Sequence, residues 1–555
     1  MIILGVNKSN HDGSVALLRD TEVLFHVQEE RLNNIKHDAS IFTSLQKVKD
    51  YVDHIDILAV SARSRAWKER TYSDEMVIQD AVRSLGLTFF DSSFKTYDFS
   101  ENHHEMHAST AFYNSGFKEA LCIVIDGKGS GTIIDGITHF ERTTSFYMSY
   151  PHNVVTIQQS RCFDEGGAFH SPTTSYNLNE TVYTTNVFSE AAIFEDLSLH
   201  YGLGHHGAGK VMGMSSYGVD DTRFPSLYAN GELNNTLWMT KICNRSPIFE
   251  GYLPDDFQTR ANLAYRVQQD TQEHVSNYIL NMLEKTGQKN LCLSGGFFLN
   301  CVSNYHLLKK LPKGVSIYVE PMSTDDGNAL GSAKTAYYLE TKSKNIVTQN
   351  SIYYGLTYNY TLEDIRGTDY EINVTAEDVA KLLADKKIVA LYQGRSEAGP
   401  RALGNRSILY DPRDPNGKDH VNAVKKREWY RPFAGTVLKE KAKDWFNMLS
   451  LDESPYMMYA VDVIEEKKTK IPAITHVDGT CRVQTLSREQ NPFYYDLIKS
   501  FDDITGVPIV FNTSFNLAGN AIVETLTDAL QTLRESDIDY LYLPELNALV
   551  KGRNK

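Results

Sequence analysis

The chain has 555 residues, 41% of them apolar and 23% charged, with a formal net charge of −14. That length accommodates two or more domains and a sizeable core. The acidic balance and the lack of a long basic run speak against a standing electrostatic footprint on duplex DNA. No apolar run approaches bilayer-spanning length.

The six cysteines are scattered without a CxxC pair and several sit in apolar runs, so buried free thiols in a reducing cytoplasm are expected rather than disulfides. The start, Met1 to Asn7, is apolar but short and lacks a basic lead, which reads as a first strand and not as a signal peptide. Ile2 to Val6 is that strand. Asn10-His11-Asp12-Gly13 forms a polar turn, and Ser14 to Leu18 and Glu22 to Gln28 follow as two more strands. Actin, Hsp70 and sugar-kinase folds open in this way. Lys36-His37 closes a charged segment.

Asp56 to Val60 is the next strand. Then Asn102-His103-His104-Glu105-Met106-His107 places three histidines within five residues. His103 and His107, four apart, share one face of the helix that runs on to Phe117. Leu121 to Gly127 reads as a buried strand with Asp126 at its C-terminal tip, the ligand-bearing edge of an α/β sheet. Asp325-Asp326-Gly327 supplies further acids after the strand Val315 to Glu320. Two imidazoles and strand-tip carboxylates would hold a divalent metal such as Fe or Mn. The bland alternative is a helix-capping histidine cluster.

Thr132 to Tyr150 gives strands of a second sheet, and 151–205 reads as loops and short helices. Gly207 to Gly213 is a glycine-rich turn carrying Lys210, without Walker A spacing. Ala261 to Leu283 is a long amphipathic helix. Asn290 to Asn300 is strand, Gly295-Gly296 turn, then a helix start at Asn300, a place for phosphate or for tight packing. The small residues after Asp326 would let the backbone approach a nucleotide.

A polar stretch at 340–352 suits a linker, dividing the chain into 1–345 and 346–555. The second part has a helix, Val374 to Lys386, and strands at Ile388 to Tyr392, within Ile471 to Leu486, and within Val507 to Asn516. Gly394 to Ser407 gathers three arginines and three glycines, with Lys425, Lys426, Arg427 and Arg431 beyond. Such basic density in an acidic chain needs an anionic partner, phosphate above all, the alternative being surface ion pairing, for which interleaved Arg and Gly at a strand end is an unusual construction.

These motifs, in this order and over nearly the whole length, resemble the O-carbamoyltransferase family of NodU/CmcH type. The motifs are Asn10-His11-Asp12, Lys36-His37, His103 to His107, Val124 to Gly127, Lys210 to Gly213, Ser294 to Asn300, Asp325 to Gly327, Gly394 to Ser407, Lys425 to Phe433, Thr475 to Thr480 and Asn512 to Asn516. The resemblance implies an α/β fold: an actin/Hsp70/sugar-kinase-like two-lobed domain followed by a YrdC-like domain. It implies that the C-terminal domain joins carbamoyl phosphate and ATP (with Mg(II)) into carbamoyl-adenylate, and that the N-terminal domain passes the carbamoyl group to an acceptor hydroxyl. Arg401, Lys425, Arg431, Arg482, Asn512 and Ser514 would hold carbamoyl phosphate and adenylate, with Gly295, Gly296, Asn300 and Lys210 contributing. His103, His107, Asp126 and Asp325 would bind an iron-type metal, with Asp326 the alternative to Asp325. His11 and Lys36 would be catalytic, His11 as general base.

The family pattern has larger apolar residues where Ser396 and Ala398 stand, and Glu-Pro where Asn520-Ala521 stand. Two rival readings are a threonylcarbamoyl-adenylate enzyme acting on tRNA and a non-catalytic nucleotide-binding regulator of the actin/Hsp70 type. The acceptor stays open among sugars, other small molecules and hydroxymethyl-pyrimidine nucleotides or DNA bases, the last not indicated by charge. No membrane partner is expected, and a homodimer is left open.

Overall fold

The computed structural model describes residues 1–62, 74–87, 95–134, 137–163, 174–178, 181–185, 190–229, 232–233, 256–348 and 351–553. It divides into two compact units. One holds Met1–Glu29 and His37–Gln349; the other holds Glu30–Lys36 and Asn350–Lys555. The boundary near 350 follows the polar stretch, whereas the grouping of residues 30–36 with the C-terminal unit has no sequence signal.

The N-terminal unit contains two principal sheets. In the first, β1 (Ile2–Lys8), β2 (Ser14–Arg19) and β3 (Glu22–Gln28) run antiparallel, and β4 (Ile57–Ala62) and β5 (Lys95–Asp98) continue parallel to β1, in the order β3-β2-β1-β4-β5. The second contains β6 (Glu119–Ile125), β7 (Gly131–Ile134), β8 (Ile137–Ser149), β9 (Asn153–Phe163), β10 (Thr174–Leu178), β11 (Thr181–Thr185), β14 (Asn290–Ser294) and β15 (Ser316–Val319). Its order is β10-β11-β9-β8-β6-β14-β15, with β7 on β8. A small hairpin, β12 (Tyr228–Ala229) and β13 (Glu232–Leu233), stands apart.

Helix His103–Ser115 ends at Gly116, whose φ of +74° suits a residue without Cβ. Its Phe112 and Tyr113 enter a core with Cys122, Tyr150, Cys292 and Tyr338. Burying one such aromatic contributes about 2 kcal/mol or more. Helix Gly327–Thr341 crosses it at small residues. A Cβ on Gly331 would strike the Met106 carbonyl, and Thr110 Oγ1 donates to the Gly327 carbonyl at 2.9 Å. A Cβ on Gly5 of β1 would likewise strike the Ala329 carbonyl. The small-residue run after Asp326 thus serves close helix and strand packing.

Two expectations change. The segment 151–205 is largely strand in its described part: β9 to β11 occupy most of it, and helix Glu190–His200 follows. Its β-branched residues, Val154, Val155, Thr156 and Ile157, favour a pleated surface. Gly207 to Gly213 is mainly a helix, Ala208–Ser215, because Val211, Met212 and Met214 are buried on it. The long helix is Phe257–Thr286, started by Asp256, which accepts from Thr259 N, and ended by left-handed Gly287.

The C-terminal unit is one nine-stranded mixed sheet: β16 (Tyr370–Ile372), β17 (Val389–Tyr392), β18 (Arg406–Tyr410), β19 (Ala434–Leu438), β20 (Ala460–Asp462), β21 (Thr480–Leu486), β22 (Ile509–Ser514), β23 (Tyr540–Leu543) and β24 (Ala548–Lys551), in the order β16-β24-β23-β17-β18-β22-β19-β21-β20. Helices Ala376–Ala384 and Leu526–Arg534 start with reciprocal capping boxes, Thr375 with Asp378 and Thr525 with Asp528. Cys122, Cys292, Cys301 and Cys481 are buried free thiols. Among the described residues no helix is long and apolar enough to cross a membrane.

Candidate functional site

In the N-terminal unit, one helical turn brings His103 Nε2 and His107 Nε2 to 3.2 Å. Asp126, just past the tip of β6, reaches His103 Nε2 at 3.8 Å. Asp325 Oδ1 stands 3.3 Å from His103 Nε2 and 3.5 Å from His107 Nε2. These four side chains are buried and offer two nitrogens and two carboxylates converging within 4.8 Å. The two aligned Nε2 atoms have no reason to face each other unless a proton or a cation lies between them, so the donor set fits a divalent metal. The surrounding field agrees. Burial opposes charge on His103, but Asp325 and Asp126 outweigh it and push its pKa up to about 9.

Asp325 and Asp326 are held differently. Ser14 Oγ donates to the Asp326 carbonyl at 2.8 Å, and His26 Nε2 lies 2.9 Å from it. Thr324 Oγ1 donates to the Asp326 carboxylate. Asp325 alone of the pair joins the cluster, and Ser9 Oγ donates to its other oxygen. His104 also stays out. Its Nδ1 pairs with Thr144 Oγ1 at 2.8 Å, and burial drives its pKa well below the usual value.

Beside this cluster lies an array that sequence reasoning missed in part. Asp12, left-handed at φ 55°, shares its carboxylate between His11 Nδ1 (3.0 Å) and His37 Nδ1 (2.8 Å). With Nδ1 of His11 toward Asp12, its Nε2 faces Asp325 Oδ2 at 4.0 Å. His206 stacks on His37 with ring centroids 3.8 Å apart and lies edge-on to His11 at 5.4 Å. Burial, then His37 and His11, bring the His206 pKa down to about 4. The Asn-His-Asp turn signalled Asp12; nothing in the sequence paired it with His37 or His206.

Gly295, at φ +96°, packs against β6, where a Cβ would strike the Ile125 carbonyl. The Gly296 N–H donates to Asp126 Oδ1 at 3.0 Å, orienting that carboxylate. Asn300 caps helix Cys301–Lys310 by accepting from Ser303 N and donates to Gln268 Oε1 at 2.9 Å. Its side chain is thus committed within the fold. Lys210 Nζ donates to the Leu203 carbonyl at 3.4 Å.

The C-terminal unit carries the opposite polarity. Arg482 of β21 and Asn512 of β22 both register against Ala434 of β19, and Ser514 against Ser407 of β18. Lys425 ends helix Gly417–Lys425 and is buried. Its ammonium donates to Ser514 O, to Asn516 O at 2.8 Å and to Asn516 Oδ1 at 3.0 Å, all neutral acceptors. Burial, reinforced by Arg427, Arg431 and Lys36, pushes its pKa well down. Arg427 is depressed in the same way, by burial and then Arg431 and Arg482. A group of cations that destabilise one another is suited to an anion. Asn512 Nδ2 donates to Thr436 Oγ1 at 3.0 Å and to the Ala402 carbonyl at 3.3 Å, bracing the loop that carries Arg401. Lys36 belongs to this unit, not to the one that holds His11.

Two family models match the chain: Carbamoyltransferase N-terminus over residues 2–81 and 59–334, and Carbamoyltransferase C-terminus over 380–549. The chain belongs to the carbamoyltransferase family and is a carbamoyltransferase enzyme. Nodulation protein NolNO of Sinorhizobium fredii is 32% identical, covering 96% of this chain and 78% of that protein. Nodulation protein NolO of Bradyrhizobium diazoefficiens is 33% identical over 79% of this chain and 77% of its own length. Among solved structures, full-length HypF in a phosphate- and nucleotide-bound form aligns with TM-score 0.39 at 13% identity, over 62% of this chain and 47% of that one.

Proposed function

We propose that the enzyme works in two half-reactions of opposite electrostatic character, the first in the C-terminal unit and the second in the N-terminal unit. In the first, carbamoyl phosphate and one water give carbamate and phosphate. The carbamate then attacks the α-phosphorus of ATP, releasing pyrophosphate and leaving carbamoyl-adenylate. In the second, an acceptor hydroxyl attacks the carbamoyl carbon, AMP leaves, and the alcohol becomes an O-carbamate.

The observation that carries this reading is the cation group of Lys425, Arg427, Arg431, Lys36 and Arg482, with Arg401 on the loop that Asn512 braces. Carbamoyl phosphate and ATP are both anionic, and these groups lower the cost of bringing them together. Magnesium accompanies ATP. Asn512 and Ser514 act through their bonds to Ala402 and Asn516, holding the pocket's walls.

In the N-terminal unit His103, His107, Asp126 and Asp325 would hold a divalent cation, Fe(II) by our assignment, which acts as a Lewis acid on the carbamoyl carbonyl when bound. His11 is the general base. Asp12 holds its Nδ1–H, and although burial opposes charge on the ring, Asp325 and Asp12 push its pKa up to about 10. Nε2 would therefore offer a lone pair to the hydroxyl proton once a bound cation offsets those carboxylates. The acceptor is a hydroxyl-bearing small molecule or sugar.

The test mixes the protein with Fe(II), Mg(II), ATP and carbamoyl phosphate, without acceptor, and measures pyrophosphate and carbamoyl-adenylate. Wild type forms both, and Arg401→Ala lowers the rate by about a hundredfold or more. ATP binding with no product in wild type overturns the proposal.

A further inference from the structure

The C-terminal unit contains seven residues from near the chain's beginning, Glu30–Lys36. The structure ties them to the loop that bears Arg401. Arg31 is buried, and its Nη2 donates to the Gly399 carbonyl at 2.8 Å. Gly399 is left-handed at φ +81° and is followed by Pro400, whose ring fixes φ and which has no N–H. With φ of Pro400 fixed by its ring, ψ of Gly399 sets the tilt of the planar Gly399–Pro400 peptide, and Arg31 grips that peptide's carbonyl. On the far side of Arg401, the Ala402 carbonyl accepts from Asn512. The Leu403 carbonyl accepts from Tyr353 OH at 2.9 Å and from Gln484 Nε2 at 3.0 Å, and Leu403 N donates to Glu397 Oε1 at 2.6 Å. Arg401 therefore stands between two pinned peptides, and Arg31 supplies the upstream pin.

A second tie anchors the segment. Asn34 Oδ1 accepts from the Ala521 N–H at 3.2 Å. Ala518, three residues before Ala521, donates its N–H to the Lys425 carbonyl at 3.0 Å. The segment thus touches the loop that carries Arg401 and the turn that holds Lys425.

We propose that Arg31 is a positioning residue of the anion site: its hold on the Gly399 carbonyl sets where the Arg401 guanidinium meets carbamoyl phosphate. This rests on the reading that the C-terminal unit binds carbamoyl phosphate through Arg401. A guanidinium suits the task because its planar fork is pre-organised.

The experiment uses the full chain and follows pyrophosphate release while carbamoyl phosphate and ATP are varied separately. Arg31→Ala raises KM for carbamoyl phosphate by about tenfold or more while KM for ATP moves less than about threefold. Arg31→Lys, which keeps the charge and a donor, recovers part of that loss. Ala521→Pro removes the N–H given to Asn34 and shifts the same KM by about two- to threefold.

A wild-type KM for carbamoyl phosphate in Arg31→Ala overturns the inference. So does a loss in which both KM values and the melting temperature move together, which marks general loosening. Should Arg31→Ala fail to fold, Arg31→Lys decides by the same split between the two KM values. A wild-type protein that makes no carbamoyl-adenylate overturns the first half-reaction instead, which separates the two failures.

Discussion

The two units hold sites of opposite sign. Around Asp325, buried carboxylates outnumber fixed cations and raise the pKa of His103. Around the buried Lys425, neighbouring cations crowd together and the lysine is driven down. A net charge of −14 describes neither. One field suits a metal cation and the other suits phosphates, and each is built from groups that raise the energy of the empty pocket. Function here follows local charge, and the chain's overall balance only excludes partners at large scale.

The sharpest way to break this comparison is to remove one field and watch the other. His107→Ala deletes one of four converging donors. Iron retained after gel filtration should fall by about a hundredfold in apparent affinity, and carbamoyl transfer with it, while acceptor-independent pyrophosphate release persists. Loss of pyrophosphate release as well would show that the two sites are not separable.

A second prediction concerns the scaffold beneath the metal cluster. Gly331→Ala forces a methyl into the Met106 carbonyl, one residue before His107. We expect a loss of about 1–3 kcal/mol in denaturant unfolding. An unchanged midpoint would show that the two helices can move apart cheaply.

The smallest effect involves a buried cation that belongs to neither field. Lys334 Nζ donates to Asn114 Oδ1 at 2.6 Å, and Asn114 Nδ2 donates to Glu320 at 2.9 Å. Burial pulls the Lys334 pKa down to about 7 from 10.5, with Glu320 opposing. Between those values the unfolded chain binds the proton and the folded chain does not, so stability rises with pH across that window. Lys334→Met should remove roughly 1–3 kcal/mol of that rise, read as the difference between unfolding at pH 7 and pH 10. Equal pH slopes in the two proteins would refute it.

Much of the cluster around His103 was legible because its logic is local. Two histidines at helical spacing and an acid at a strand tip are read from periodicity alone. The choice of Asp325 over Asp326 was not, because it depends on Ser14 and His26 claiming the Asp326 carbonyl from another part of the fold. Asp12 lay in a recognised turn, but its role needs His37, and no pattern announces that His206 stacks there. The small residues after Asp326 were visible, yet composition does not say whether they face a nucleotide or a helix. In the C-terminal unit the arginine-rich loop signalled an anion, whereas its brace from Arg31 is a contact across 368 residues, beyond any window of sequence.

That separation has a consequence for how the protein is made. At a synthesis rate of about 5–20 residues per second, Arg31 waits roughly 20 to 70 seconds for Gly399 to be added. Asn34 waits longer still for Ala521, 487 residues on. For most of the chain's birth a buried arginine of the finished molecule has no Gly399 carbonyl to bind. A ribosome that stalls after residue 349 leaves a fragment carrying seven residues meant for a unit not yet written. A C-terminal half made by itself would lack the Arg31 tie to Gly399 and the Asn34 tie to Ala521.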